Sequence, residues 1–156
     1  MALALTSCGN KAPRQPVEPS GPEATDEPEP RLQSTAILGR EPVANRVEVR
    51  HILIGWRDLA GAYGGAIDER ARERSSEDAE KLIQELYQRI DAGESFEALM
   101  AEYSEDLGSA QSQRTIEVTP DAQLVLDFKR LSLRLRVGEV GIVQSPYGWH
   151  IIKRVG

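Results

Sequence analysis

Between Val47 and Ile54 the chain alternates, with Val47, Val49, His51 and Leu53 on one side of an extended segment. A period of two in β-branched residues predicts a strand and sets a histidine on the same face as two valines. From Ser75 the period lengthens. Ala79, Leu82, Ile83, Leu86, Tyr87 and Ile90 recur at helical spacing behind a Ser75 or Ser76 cap. Glu77 and Asp78 occupy the first turn of this helix, where they suit its dipole, and Gly93 stops it. Ser95 caps a second, shorter helix with Phe96, Leu99, Met100 and Tyr103 facing one way. Thr119-Pro120-Asp121 predicts the start of a third helix, with proline at its first position and Leu124, Val125, Phe128 and Leu131 as the apolar stripe. Val140 to Ser145 and Trp149 to Val155 are two strands, preceded by a turn at Val137-Gly138-Glu139 and joined through Pro146-Tyr147-Gly148. The predicted order is β-α-α-α-β-β, an α+β domain built on an antiparallel sheet.

Two stretches lack either period. Gly55 to Arg74 holds four glycines and reads as a long mobile loop; its Arg70, Arg72 and Arg74 interleave with Glu69 and Glu73, the pattern of a solvated charged segment. Residues 9–46 contain seven of the nine prolines, mixed with Glu18, Glu23, Asp26, Glu27 and Glu29. Few large apolar side chains are available there to offset the entropy of ordering, so a disordered tether with polyproline II character is expected, ahead of a domain at 47–156. Thr35-Ala36-Ile37-Leu38, near its end, is an apolar patch able to dock on the domain.

Composition narrows the function classes. A length of 156 residues suits one domain with a core. The net charge of −6 divides into 5 basic and 6 acidic residues up to Arg46 and 14 and 19 beyond it, so no basic block invites nucleic acid. No apolar run approaches the length of a membrane-spanning helix. Cys8 is the lone cysteine, which rules out an intramolecular disulfide. Leu5-Thr6-Ser7-Cys8 resembles a bacterial lipobox. Residues 1–8 are therefore expected to be the remnant of a signal peptide, with a diacylglycerol on Cys8 anchoring the chain to a membrane. Gly9 does not resemble the aspartate that retains lipoproteins at the inner membrane, which favours a periplasm-facing position on the outer membrane of a bacterial envelope.

Five local motifs, in order, carry a family resemblance over about 110 residues. Val49-Arg50-His51-Ile52-Leu53-Ile54 resembles the first strand of the parvulin-type peptidyl-prolyl isomerases. Ala92-Gly93-Glu94-Ser95-Phe96-Glu97-Ala98-Leu99, Tyr103-Ser104-Glu105-Asp106 and Leu135-Arg136-Val137-Gly138-Glu139-Val140 are similar to that family's turns, and Tyr147-Gly148-Trp149-His150-Ile151-Ile152-Lys153 to its last strand. The resemblance implies an FKBP-like sheet of about four strands with three to four helices. It also implies rotation about the amide before proline, in proline-containing polypeptide clients of a monomeric domain, without cofactor or metal. By position it makes Phe128 and Leu124 the floor of a proline pocket and Tyr147 a tip residue beside it. His51 and His150 become a hydrogen-bonded pair on neighbouring strands, with Ser145 beside His150 and Asp106 near the substrate carbonyl. Phospho-specific relatives carry a basic cluster where Arg70, Arg72 and Arg74 stand.

The match fails in one place. Relatives usually have a Gly-Gly-Asp-Leu-Gly type segment after the Asp106 loop; here Ser109 to Glu117 replaces it, with 115–118 as a candidate short strand. The alternative expectation is thus a parvulin-like module that binds extended peptides as a chaperone with little catalysis. A metal site from His51, His150 and Asp106 matches no ligand-spacing motif.

Overall fold

The computed structural model describes residues 32–156. Cys8, the lipobox-like motif and most of the proline-rich segment lie outside the described residues. The order is α1 (Thr35–Leu38), β1 (Val47–Ile54), a 3-10 helix (Arg57–Tyr63), α2 (Glu69–Glu73), α3 (Ser76–Asp91), α4 (Phe96–Tyr103), α5 (Leu107–Ser112), β2 (Ile116–Val118), α6 (Leu126–Ser132), β3 (Val140–Ser145) and β4 (Gly148–Arg154). The strands form one antiparallel sheet in the order β2-β1-β4-β3. This is the α+β architecture expected, with the 115–118 segment supplying the fourth strand.

Alternation along the strands gives the sheet two covered faces. Ile52, Ile54, Ile142, Trp149 and Ile151 pack beneath α3 and α4, whose Ile83, Leu86, Phe96, Leu99 and Met100 complete that half of the core. Val47, Val49, Val118, Val143 and Ile152 pack on the other side against Phe128 and Leu131 of α6 and the Leu133 and Leu135 that follow. His51 and Leu53 of β1, His150 of β4 and Ser145 of β3 share this second face by the same alternation. Leu131 comes within 3.1 Å of where a Cβ on Gly141 would stand, so α6 lies close on β3. Gly148 starts β4 at φ +136°, and a Cβ there would sit 2.6 Å from the carbonyl oxygen of Ile54. Only glycine lets the hairpin close so tightly against β1.

Two boundaries differ from the sequence expectation. The expected tether reaches Arg46, but residues 34–46 lie on the domain. Ile37 is buried in the α6-side core. Ser34 N–H donates to the Ile142 carbonyl at 2.9 Å and Ser34 Oγ accepts the Ile142 N–H at 2.9 Å, which satisfies part of the outer edge of β3. Arg40 pairs with Glu139 at 2.8 Å, and Val43 N–H donates to Leu133 O at 2.9 Å. Ile37, with Leu38 and Ala44 partly buried beside it, the edge pairing and the Arg40–Glu139 pair order a segment that composition alone assigns to a tether.

The third helix begins at Leu126, not at Thr119-Pro120-Asp121. Thr119 Oγ1 donates to Asp121 Oδ1 at 2.7 Å and Ala122 N–H returns to Thr119 O, so the Thr-Pro-Asp sequence closes a turn. Lys129 Nζ, on α6, then clamps this turn through the Pro120 carbonyl at 2.7 Å. Within the expected mobile loop stand the 3-10 helix and α2, the latter capped by Asp68 accepting from Arg70 N–H.

Candidate active site

Register places the two histidines diagonally: His51 is opposite Ile152, and Leu53 is opposite His150. Their Nδ1 atoms are 3.3 Å apart and both side chains are buried. His51 Nε2 lies 2.8 Å from Asp106 Oδ2, and His150 Nε2 lies 2.8 Å from Ser145 Oγ, which accepts the Tyr147 N–H at 3.1 Å. Partner chemistry assigns the protons. A carboxylate only accepts, so His51 donates through Nε2 and offers Nδ1 as acceptor when neutral. His150 then donates through Nδ1 and accepts the Ser145 hydroxyl at Nε2. Every donor points the same way, from the Tyr147 amide through Ser145, His150 and His51 to Asp106.

Electrostatics agree with this assignment. Burial, aided by the neighbouring His51, pushes His150 down to about 3, so it is neutral at physiological pH. The hydrogen bond from His51 holds Asp106 well below the usual carboxylate range despite partial burial, with help from Ser109. Ser109 Oγ donates to Asp106 Oδ2 at 2.8 Å and its N–H approaches Oδ1 at 3.4 Å, so Asp106 also caps α5. Sequence reasoning missed Ser109; its signal is the Asp-x-x-Ser spacing of a capped helix start.

Phe128 closes the cluster. Its ring meets His51 edge-on at 5.2 Å and His150 at 5.4 Å between centroids, while the two imidazoles stack at 5.5 Å. Leu124 packs half-buried on the same core, and Tyr147, at the hairpin tip, is 41% exposed. Six of the seven residues singled out within the domain, His51, Asp106, His150, Ser145, Phe128 and Tyr147, are thus joined by direct contacts or through the hairpin, while Leu124 packs on the core cluster that contains Phe128. Tyr63 joins them unforeseen: its hydroxyl donates to the Tyr147 carbonyl at 2.5 Å and the two rings meet edge-to-face at 5.5 Å. Nothing in the glycine-flanked loop sequence marks it.

Among the described residues, a concavity of about 260 Å³ borders the polar chain between Asp106, Ser109, Ser112, Arg114 and Ile116. Two larger ones, of about 460 and 450 Å³, lie along the C-terminal half of α3, near Tyr87 and Ile90 and near Gln84 and Gln88. Asp106, the end of the histidine chain, lines the smaller cavity and neither of the larger two, which makes that end the candidate site.

The family described as the PPIC-type PPIASE domain matches residues 34–155. The chain belongs to this family. The PPIase domain is 34% identical over 119 residues to Chaperone SurA of Pseudomonas fluorescens, an alignment covering 76% of this chain and 25% of that protein. It is 33% identical over 119 residues to Chaperone SurA of Pseudomonas aeruginosa, with the same coverage. The chain therefore spans about a quarter of the length of these relatives. The solution structure of TbPIN1 superposes on it with a TM-score of 0.62 at 25% identity, covering 73% of this chain and all of that one. The peptidylprolyl isomerase PrsA of Bacillus cereus superposes at 0.51 and 27% identity, over 72% of this chain and 35% of PrsA. The family's first residue, 34, coincides with the start of the β3-edge pairing.

Proposed function

We propose that this chain catalyses cis–trans isomerisation of Xaa-Pro bonds in polypeptide clients, at the site formed by Phe128, Leu124 and Tyr147 beside the Asp106–His51–His150–Ser145 chain. The single observation that carries the reading is Phe128, an aromatic side chain set edge-on against both members of a tautomer-ordered histidine pair. The reaction needs no bond cleavage. Its uncatalysed barrier is about 18–20 kcal/mol because twisting the amide removes its resonance. The twisted amide is also less charge-separated, so an apolar surface around the proline ring favours it over the planar ground state more than water does. Phe128 and Leu124 supply that surface. Asp106, whose side chain is 35% exposed, presents a permanent negative charge toward the swinging carbonyl and disfavours the planar form, whose oxygen carries more negative charge. The two histidines act through position: their fixed tautomers hold Asp106 at one end and Ser145 at the other.

Where relatives carry a glycine-rich segment, this chain has α5 and then Gln113 at φ +50°. The left-handed position is met by a non-glycine residue. The test uses the full chain: NMR exchange spectroscopy on Xaa-Pro peptides with varied preceding residues, with Phe128→Ala and Asp106→Asn as comparisons and amide dispersion to verify folding. Acceleration by the parent chain that falls in both variants supports the isomerase. A folded parent chain that binds the peptides without accelerating exchange would sink it and leave a peptide-binding chaperone module.

The setting we infer is the bacterial cell envelope, with the domain facing the periplasm from a lipid anchor at Cys8, on the outer membrane. The Leu-Thr-Ser-Cys motif and the proline-rich stretch between Cys8 and the domain support it. Metabolic labelling with a fatty-acid analogue, compared with Cys8→Ser, decides the point: label retained in the variant ends the proposal.

A further inference from the structure

The segment between β1 and α3 is pinned at its base and touches the hairpin at its far end. At the base, Glu105, only 4% exposed, accepts the Gly55 amide at 2.6 Å and the Arg74 guanidinium at 2.5 Å. Arg74 also donates to the Gly55 carbonyl at 2.7 Å, and Arg57 N–H to the Arg74 carbonyl at 3.0 Å. The 3-10 helix beyond has no buried residue and runs out on Gly64 and Gly65, at φ +59° and +87°. Its last residue, Tyr63, is the one that reaches the site. By donating to the Tyr147 carbonyl it holds the same hairpin residue whose amide starts the chain through Ser145 to His150. Burial first, then the nearby Glu105, Tyr147 and Asp106, push the Tyr63 phenol up to about 12, so it stays a donor at any physiological pH.

We propose that Tyr63 is a specificity-determining residue: with Tyr147 it forms an aromatic wall at the proline site that selects polypeptides with a large apolar side chain next to proline and rejects an acidic one. This rests on the isomerase reading of the site. Two phenol rings held edge-to-face leave ring surface for an apolar neighbour, and Tyr147 has 41% of its surface open to receive one. Asp106 lies close enough to Tyr63 to add to the rise of its phenol, and three of the segment's four arginines, all but Arg57, are committed internally. Arg70 is taken by Asp68 and the carbonyls of Glu102 and Ser104, Arg72 by the Gly65 carbonyl, and Arg74 by Glu105. An acidic side chain beside the proline would therefore meet repulsion from Asp106 with those three guanidiniums engaged elsewhere.

The experiment compares the full chain with Tyr63→Ala and Tyr63→Phe on Leu-Pro, Ala-Pro and Glu-Pro peptides. It reads both exchange catalysis and affinity by NMR titration. The parent chain is expected to prefer Leu-Pro over Ala-Pro over Glu-Pro. Tyr63→Ala should cut the Leu-to-Ala ratio of kcat/KM about fivefold, the scale of one aromatic contact, with the change in KM rather than kcat. Tyr63→Phe keeps the ring and should hold the ratio within about twofold. A uniform loss across all three peptides would show that Tyr63 only positions the hairpin and would overturn the proposal, as would a parent preference for Glu-Pro. If peptides bind without turnover, the isomerase reading fails while the affinity ratio still decides the role of Tyr63.

Discussion

The Nδ1 atoms of His51 and His150 face each other at 3.3 Å, a contact that holds one proton between two buried rings. Removing either ring strands the other. His51→Ala leaves Asp106 and His150 each short of a partner, and a buried polar group without its hydrogen bond costs about 1–3 kcal/mol. The expected result is a fall in urea midpoint with unchanged slope, together with a loss of exchange catalysis. A midpoint equal to that of the parent would show that the contact contributes nothing to stability.

Acid should destabilise the domain in two limbs. His150 is lowered from its ordinary 6.5 to about 3, so the unfolded chain takes up a proton that the folded chain refuses. Its contribution is full above about pH 6.5 and is lost as pH falls toward 3. Asp106, lowered from an ordinary 3.8, adds stability present above that value and lost below it. Urea titrations from pH 8 to 3 should show stability level down to about pH 6.5 and falling below it, with the upper limb absent in His150→Gln and the lower limb reduced in Asp106→Asn.

Phe128 serves both the α6-side core and the site, which separates two substitutions. Phe128→Ala opens a cavity and should cost about 3–5 kcal/mol. Phe128→Leu keeps most of the volume and should cost less than about 1.5 kcal/mol. Because leucine lacks the ring edge that meets both imidazoles, exchange catalysis should drop in Phe128→Leu well beyond what its urea midpoint accounts for. Unchanged catalysis would remove Phe128 from the proline pocket.

Cutting the chain before Val47 deletes Ile37, the Arg40–Glu139 pair and the Ser34 cap on β3. A fragment of residues 47–156 should be less stable than one of residues 32–156 by at least about 2 kcal/mol, the cost of emptying one aliphatic core position. Equal midpoints would mean that the segment rests on the domain without stabilising it.

Much of this was legible in the residues because periodicity reports on local geometry. The alternation of β1 put His51 on one face with Val47 and Val49, and the spacing of Ala79, Ile83 and Leu86 marked the buried stripe of α3. The family resemblance then supplied His150, Asp106, Ser145 and Phe128, residues that no periodicity distinguishes from ordinary core or loop. Thr119-Pro120-Asp121 misled because a proline after a hydroxyl residue opens a helix and a turn equally well; Lys129 of α6, bound to the Pro120 carbonyl, holds the turn.

By itself the sequence determined the strand and helix faces and the α+β class, since each depends on side chains within a few positions of one another. The tertiary structure alone decided which Nδ1 meets which, that Ile37 belongs to the core, and that Tyr63 reaches Tyr147 across 84 positions. Those contacts depend on strand register and on the close packing of distant segments, and neither leaves a periodic trace along the chain.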